Sequence, residues 1–222
     1  MSMFNLDTNL VLWNIKTAQK FEDPAKKIIQ KGLQSSCTIY VSEEHQWSGS
    51  GFHIGNGMII TASHVVPPSL NPNASIDITF DQKEFYQAEV VVTQPQFDAA
   101  ILSCPQMSKI IPPLELADSD KVEVGDLIAI IGAPEGFHDT ATVGRISNIH
   151  QTLGEQAPSP AWTDIIFVDA DIAEGSSGGM VIDMNGRVVG IVMGVTGQHA
   201  DFGIGENSVC PSNKIKKLLS DL

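Results

Sequence analysis

From Cys37 onward the chain is a succession of short β-branched runs, each closed off by Gly, Pro, Asn or Asp. CTIYV, GSGFHIG, GMIITAS, IDITF, AEVVVT and AAILS fall within residues 37–103; LIAIIGA, ATVGRISNI, IIFVDAD, MVIDM and RVVGIVMG form a second set. Runs of this length, rich in Val, Ile and Thr and bounded by turn formers, are strands rather than helices. Parallel strands need crossover connections of a dozen or more residues, usually helical, and no such alternation occurs, which excludes a doubly wound sheet. The sequence therefore predicts an all-β fold of two antiparallel six-stranded β-barrels, with PPLELADSDKVEVGD as the connection between them. At 222 residues the chain is long enough to bury a core in each half. The expected units are an N-terminal arm with a short helix over 1–34, an N-terminal barrel over 35–115, and a C-terminal barrel with a terminal helix over 116–222.

The two ends break the pattern. Asp23, Pro24 and Gly32 read as N-cap, first helical position and terminator of a short helix through AKKIIQK. Ahead of it, Leu10, Val11, Leu12, Trp13 and Ile15 make an apolar patch that either folds back on the domain or serves self-assembly into a homo-oligomer. At the other end PSNKIKKLLSDL is helical, with Ser212 as cap and Ile215, Leu218 and Leu219 on one face.

A formal net charge of −13 argues against nucleic acid or an anionic membrane as partner and is compatible with basic peptide or protein substrates. Three widely spaced cysteines, Cys37, Cys104 and Cys210, form no CxxC pair and read as buried free thiols, which suits a reducing compartment. The first twenty residues carry no secretory-signal pattern, and the longest apolar runs are far below the ~18 residues of a membrane span. On these grounds the sequence-based expectation is a soluble, cytoplasmic protein.

The chemistry concentrates at Gly175-Ser176-Ser177-Gly178-Gly179, between two strongly apolar runs. Glycines permit positive φ and leave backbone N–H groups free to point at a ligand. Taken alone the stretch is also a tight turn between strands. None of the six histidines stands in a metal-ligand spacing, so neither metal nor other cofactor is expected. His64 follows a strand ending in small residues, and Asp98 enters directly into an apolar strand, where a carboxylate needs a partner. A serine hydroxyl becomes a nucleophile when a neighbouring base takes its proton and an acid orients that base. His64, Asp98 and Ser177 supply those three groups. Gly175-x-Ser177-x-Gly179 also fits the nucleophile elbow of α/β-hydrolases, but there acid and histidine follow the serine, whereas only His199 lies downstream here.

GSGFHIGNGMIITASHVV, FDAAILS, ATVGRISN, DADIAEGSSGGMVIDMNGRVVGIV and CPSNKIKKLL, in that order, resemble the signature blocks of a trypsin-like serine protease, above all the protease domain of the HtrA/Deg group. The resemblance runs over about residues 35–220. It implies a chymotrypsin-type double barrel with the site between barrels, His64 as general base, Asp98 as its orienting acid and Ser177 as nucleophile. The N–H groups of Gly175 and Ser177 would form the oxyanion hole. Asp171, six residues before Ser177, would stand at the base of the pocket and favour cleavage after Lys or Arg. Met193, Gly194 and Val195 would form the strand beside a bound peptide. In HtrA relatives residues ahead of the barrels often mediate assembly, which makes Trp13 and Phe21 candidates.

Two departures qualify this. HtrA/Deg proteins usually carry a PDZ domain after the protease domain and none follows here, so PDZ regulation is not expected. Ser176 stands where digestive relatives keep an aspartate, so activation by a freed N-terminus is not predicted. The reading is a serine endopeptidase acting on peptide or protein substrates; the competing one is a protease-fold peptide-binding or chaperone-like module with little turnover.

Overall fold

The computed structural model describes residues 23–41, 48–66, 75–152, 163–195 and 207–222. The first half is a seven-stranded antiparallel sheet: β1 (Ser36–Val41), β2 (Ser48–Gly55), β3 (Met58–Thr61), β4 (Ile76–Thr79), β5 (Tyr86–Gln87), β6 (Glu89–Gln94) and β7 (Ala99–Ser103), in the order β5-β4-β1-β2-β3-β7-β6. Its edges, β5 and β6, are separated in the chain by Ala88 alone, whose N–H donates to the Ile76 carbonyl at 2.9 Å. The covalent chain thus runs from one edge to the other, and the sheet is curled into a half-barrel without a ladder to seal it. The second half is a closed barrel: β8 (Leu127–Gly132), β9 (Thr140–Gln151), β10 (Ile165–Val168), β11 (Met180–Asp183), β12 (Val188–Val195) and β13 (Asn207–Pro211), ordered β10-β13-β12-β11-β8-β9. The all-β, double-barrel architecture holds, with a curled seven-stranded sheet in place of the first six-stranded barrel.

Alternation explains why these strands read as continuous apolar runs rather than half-polar ones. Successive side chains on a strand point to opposite faces. In β3, Ile59 fills the interior of the first half while Ile60 joins the core shared by both halves. In β7, Ala100 and Leu102 face inward and Ala99 and Ile101 face the shared core. The closed barrel repeats the scheme: Ile128 and Ile130 of β8 lie inside it, and Ala129 and Ile131 join the shared core. Both faces of the central strands are therefore buried, at roughly 1.5–3 kcal/mol for each large side chain removed from water.

The helices cover the shared core. Helix α1 (Pro24–Leu33) is capped as predicted, the Asp23 carboxylate accepting from the Ala25 N–H at 3.0 Å. Gly32 is not its terminator: the helix runs through Leu33 to a cap at Gln34. A Cβ at Gly32 would come within 2.3 Å of Ile131 Cδ1, so the glycine serves close packing on β8. Helix α2 (Ser212–Ser220) buries Ile215 and Leu218, with Leu219 partly buried beside them. Ser212 is its first residue rather than its cap, and its hydroxyl donates to the Ala117 carbonyl at 2.7 Å. Neither helix is long and apolar enough to cross a membrane. Cys37, Cys104 and Cys210 are free and buried, as predicted. The arm patch Leu10–Ile15, with Trp13 and Phe21, lies outside the described residues, as does His199.

Candidate active site

His64 stands just past the end of β3, exposed between buried Ser63 and Val65. The N–H groups of Val65 and Val66 donate back to the carbonyls of Ala62 and Ser63, each at 3.2 Å, so the segment closes into a tight turn with the imidazole outward. Asp98 approaches from the β6–β7 turn in a left-handed backbone conformation (φ 54°) that aspartate tolerates better than most residues. Its carboxylate accepts three hydrogen bonds: His64 Nδ1 at 2.7 Å on Oδ2, and the Ser63 hydroxyl at 2.9 Å and the His64 N–H at 3.0 Å on Oδ1. A carboxylate acceptor calls for the proton on Nδ1, and in the neutral imidazole that leaves the lone pair on Nε2. The imidazole can therefore take up a proton from the side facing away from Asp98.

The Gly175–Gly179 turn is held by an alternating pattern of backbone bonds. The Glu174 carbonyl accepts from the Glu135 N–H at 2.6 Å, the Gly175 carbonyl from the Ser50 hydroxyl at 2.7 Å, the Ser176 carbonyl from the Gly179 N–H at 2.9 Å and the Ser177 carbonyl from the Ser50 N–H at 2.8 Å. The N–H groups of Ser176 and Gly178 are taken by the carbonyls of Ala173 and Val192. Those of Gly175 and Ser177 donate to nothing among the described residues. Gly175 adopts φ 89°, and a Cβ there would lie 2.8 Å from the Ala133 carbonyl oxygen.

Gly178 and Gly179 do not keep space open beside Ser177. A Cβ at Gly178 would fall 2.3 Å from both the Ser50 carbonyl oxygen and Thr61 Oγ1 and 2.8 Å from Ala62 N; one at Gly179 would fall 2.7 Å from the Ile131 carbonyl oxygen. These glycines let the turn pack backbone-to-backbone on both halves of the molecule. Gly178 thereby lies against Ala62, two residues before His64, so the turn and the histidine segment share one seam. No hydrogen bond joins Ser177 to His64 among the described residues; such bonds often tighten only when substrate is bound.

The remaining sequence-based candidates are placed differently. Asp171 is exposed, its carbonyl accepting from the Thr142 hydroxyl at 2.8 Å, and it lines a cavity of about 200 Å³ with Ile130, Thr140, Ile172 and Ser176. Met193 is buried, its side chain in the shared core, so any contact it makes with a peptide is through its backbone. It sits at a register shift between β12 and β13, beside Gly194 (φ 148°), whose carbonyl accepts from Ser208 at 2.6 Å; Val195 closes the strand. Sequence reasoning missed Ser63, the second side-chain donor to Asp98, and Ser50. Both are buried serines in small-residue stretches, and their only sequence signal was to fall inside GSGF and TAS. Among the described residues no group of acidic, His or Cys side chains could hold a metal ion.

A family model for the trypsin-like peptidase domain matches residues 49–191. The chain is 36% identical over 149 residues to a probable periplasmic serine endoprotease DegP-like of Pseudomonas putida, covering 67% of this chain and 29% of that one. It is 34% identical over 158 residues to the serine protease Rv3671c of Mycobacterium tuberculosis, covering 70% and 38%. The periplasmic serine endoprotease DegP of Salmonella typhimurium is 33% identical over 178 residues, covering 78% and 35%. The chain thus spans about a third of the length of these relatives. Among solved structures, an inactive form of the Rv3671c protease superposes with a TM-score of 0.72 at 25% identity, covering 90% of this chain and 96% of that one. An HtrA-type protease with a tripeptide superposes with a TM-score of 0.75 at 24% identity, covering 88% and 62%, and shows the shared fold. The chain belongs to the trypsin-like peptidase family, with HtrA and DegP relatives.

The expected cytoplasmic location is overturned by these comparisons. The DegP relatives are named periplasmic, which contradicts it. The thiols that suggested a reducing compartment are buried, and burial pushes the Cys37 and Cys104 thiols up and the Cys210 thiol up to about 12. Thiols this shielded are poor nucleophiles in the folded protein, so their being free is weak evidence for a reducing compartment.

Proposed function

Starting from that family membership, we propose that the chain is a serine endopeptidase that cleaves peptide bonds through an acyl-enzyme, with the cleft at the seam between units 35–115 and 116–222. Ser177 Oγ attacks the scissile carbonyl carbon as His64 Nε2 takes its proton. Asp98 holds the imidazole by Nδ1 and stabilises the imidazolium that forms. Negative charge gathers on the carbonyl oxygen, which the N–H groups of Gly175 and Ser177 receive. The C–N bond then breaks, His64 returns the proton to the leaving amine, and water, deprotonated by the same imidazole, hydrolyses the ester. The observation that carries this reading is the Asp98 carboxylate, fixed by three donors and facing His64 Nδ1 at 2.7 Å. A fluorophosphonate probe should label the protein at Ser177, and Ser177→Ala should abolish both labelling and peptide hydrolysis. Absence of labelling would favour the peptide-binding or chaperone-like alternative.

The peptide would lie along Met193–Val195, adding an antiparallel strand. A preference for Lys or Arg before the scissile bond rests on Asp171, which also lines the cavity beside Ser176, and loosely on the net charge of −13. Comparing basic and aliphatic peptides with Asp171→Asn decides it: an unchanged preference removes the idea. Assembly through the arm is tested by deleting residues 1–22, which spares α1 with its buried Ala25 and Ile28, and measuring mass in solution; an unchanged mass removes Trp13 and Phe21 as contacts.

A further inference from the structure

The GSGF segment on β2 carries a serine that the reaction above leaves unused. Ser50 is completely buried, 0% exposed, and all its polar atoms are engaged. Its hydroxyl donates to the Gly175 carbonyl at 2.7 Å and accepts from the Ala133 N–H at 2.8 Å. Its N–H donates to the Ser177 carbonyl at 2.8 Å, and its carbonyl accepts from the Thr61 hydroxyl at 2.7 Å. Because the Ala133 N–H can only donate, the hydroxyl proton has one place to go, the Gly175 oxygen. The surroundings are shaped for this approach: a Cβ at Gly132 would lie 2.8 Å from Ser50 Oγ, and one at Gly178 would lie 2.3 Å from the Ser50 carbonyl oxygen.

The four peptide units from Glu174 to Gly178 alternate. Those of 174–175 and 176–177 carry the N–H groups of Gly175 and Ser177 that meet no acceptor among the described residues. Those of 175–176 and 177–178 are bound at both ends, and in both the carbonyl partner is Ser50. A glycine at φ 89° has no Cβ to restrict it, so hydrogen bonds rather than sterics set the direction of the peptides on either side of Gly175. We propose that Ser50 is the positioning residue of the nucleophile turn: from the opposite half of the molecule it holds the Gly175 and Ser177 carbonyls so that the neighbouring N–H groups converge on the reacting oxygen. Ser50 touches no substrate and acts only through the turn. The inference rests on the endopeptidase reading, since an oxyanion is what the aligned N–H groups serve.

The test compares two buried serines that each donate to one carbonyl, Ser50 at the turn and Ser212 at Ala117, far from it in the chain. Both Ser50→Ala and Ser212→Ala should lower Tm. Only Ser50→Ala should lower kcat, by on the order of ten- to a hundredfold, the scale of a misplaced catalytic geometry, with KM within about twofold because ground-state binding is untouched. Ser50→Thr, which keeps the hydroxyl, should recover most of kcat. Should Ser50→Ala fail to fold, Ser50→Cys, similar in size but a weaker donor, carries the same expectation. An unchanged kcat in Ser50→Ala, or an equal fall in Ser212→Ala, would overturn the assignment while leaving the endopeptidase reading intact. A wild-type protein that neither hydrolyses peptides nor labels with the fluorophosphonate overturns both.

Discussion

The two sides of the proposed cleft are built on different principles. The His64–Asp98 side is local: His64, Asp98 and Ser63 lie within one curled sheet, and beside the imidazole the carboxylate collects two supporting donors, the Ser63 hydroxyl and the His64 N–H, neither of which is its sole support. The Ser177 side is assembled: among the described residues each carbonyl from Glu174 to Ser177 has a single donor, two of them from Ser50 in the other half and one from Glu135 in the β8–β9 loop. A redundant pair tolerates loss of a supporting group, whereas a turn with one bond per carbonyl reports on everything it touches. Sensitivity to the rest of the molecule therefore resides in the turn.

The largest expected effect strikes the one irreplaceable atom set on the local side. Asp98→Asn should lower kcat by on the order of 10³–10⁴, since an amide in that place no longer fixes the Nδ1–H tautomer; a loss of tenfold or less in a peptide assay contradicts the role of the pair. Next comes Gly178→Ala at the seam. With φ 81° and a Cβ 2.3 Å from two oxygens, it should cost about 1–3 kcal/mol or more of folding stability, read as a lower urea midpoint; a wild-type midpoint would show that the halves separate freely. Ser63→Ala is smaller still: the carboxylate keeps two donors, so kcat should fall by only several-fold, about 1 kcal/mol for one net hydrogen bond. A fall as large as that of Asp98→Asn would break the claim of redundancy.

The smallest effect compares the two halves through their thiols, Cys37 in β1 and Cys210 in β13. Burial raises both thiol pKa values, that of Cys210 to about 12, so both remain protonated and unreactive to iodoacetamide at pH 8 until the chain opens. With the folded value above the unfolded one, near 8.5, this contribution to stability is complete below that pH and is lost as pH rises toward 12. Pulsed alkylation in rising urea should label both together if the shared core couples the halves. Earlier labelling of Cys37 would instead mark the curled sheet, closed only by the chain at Ala88, as the weaker half.

Much of this was legible in the chain because the signals were local. Strand runs, the Asp23 cap and the glycine-flanked serine each declare themselves within a few residues. β13 escaped because NSVCP offers a single β-branched residue; it is a strand because β10 and β12 pair with it and close the barrel. Gly32 and Ser212 stand near helix ends, where a glycine or serine reads as a terminator or cap, while what fixes them, packing on Ile131 and a bond to the Ala117 carbonyl, is remote in sequence. Gly178 and Gly179 read as part of a tight turn and prove to be contact points between backbones as well.

The sequence by itself determined the class of fold, the two-part division of the strands and the identity of His64, Asp98 and Ser177 as candidates, because residue type and spacing carry that information. Tertiary structure alone decided what holds each of them: that the Ser63 hydroxyl donates to Asp98, that Ser50 bonds the Gly175 and Ser177 carbonyls from the other half, and that the Gly175 and Ser177 N–H groups meet no acceptor among the described residues. Hydrogen bonds between residues 35 and 125 positions apart obey no sequence periodicity, so they exist only once both halves have packed.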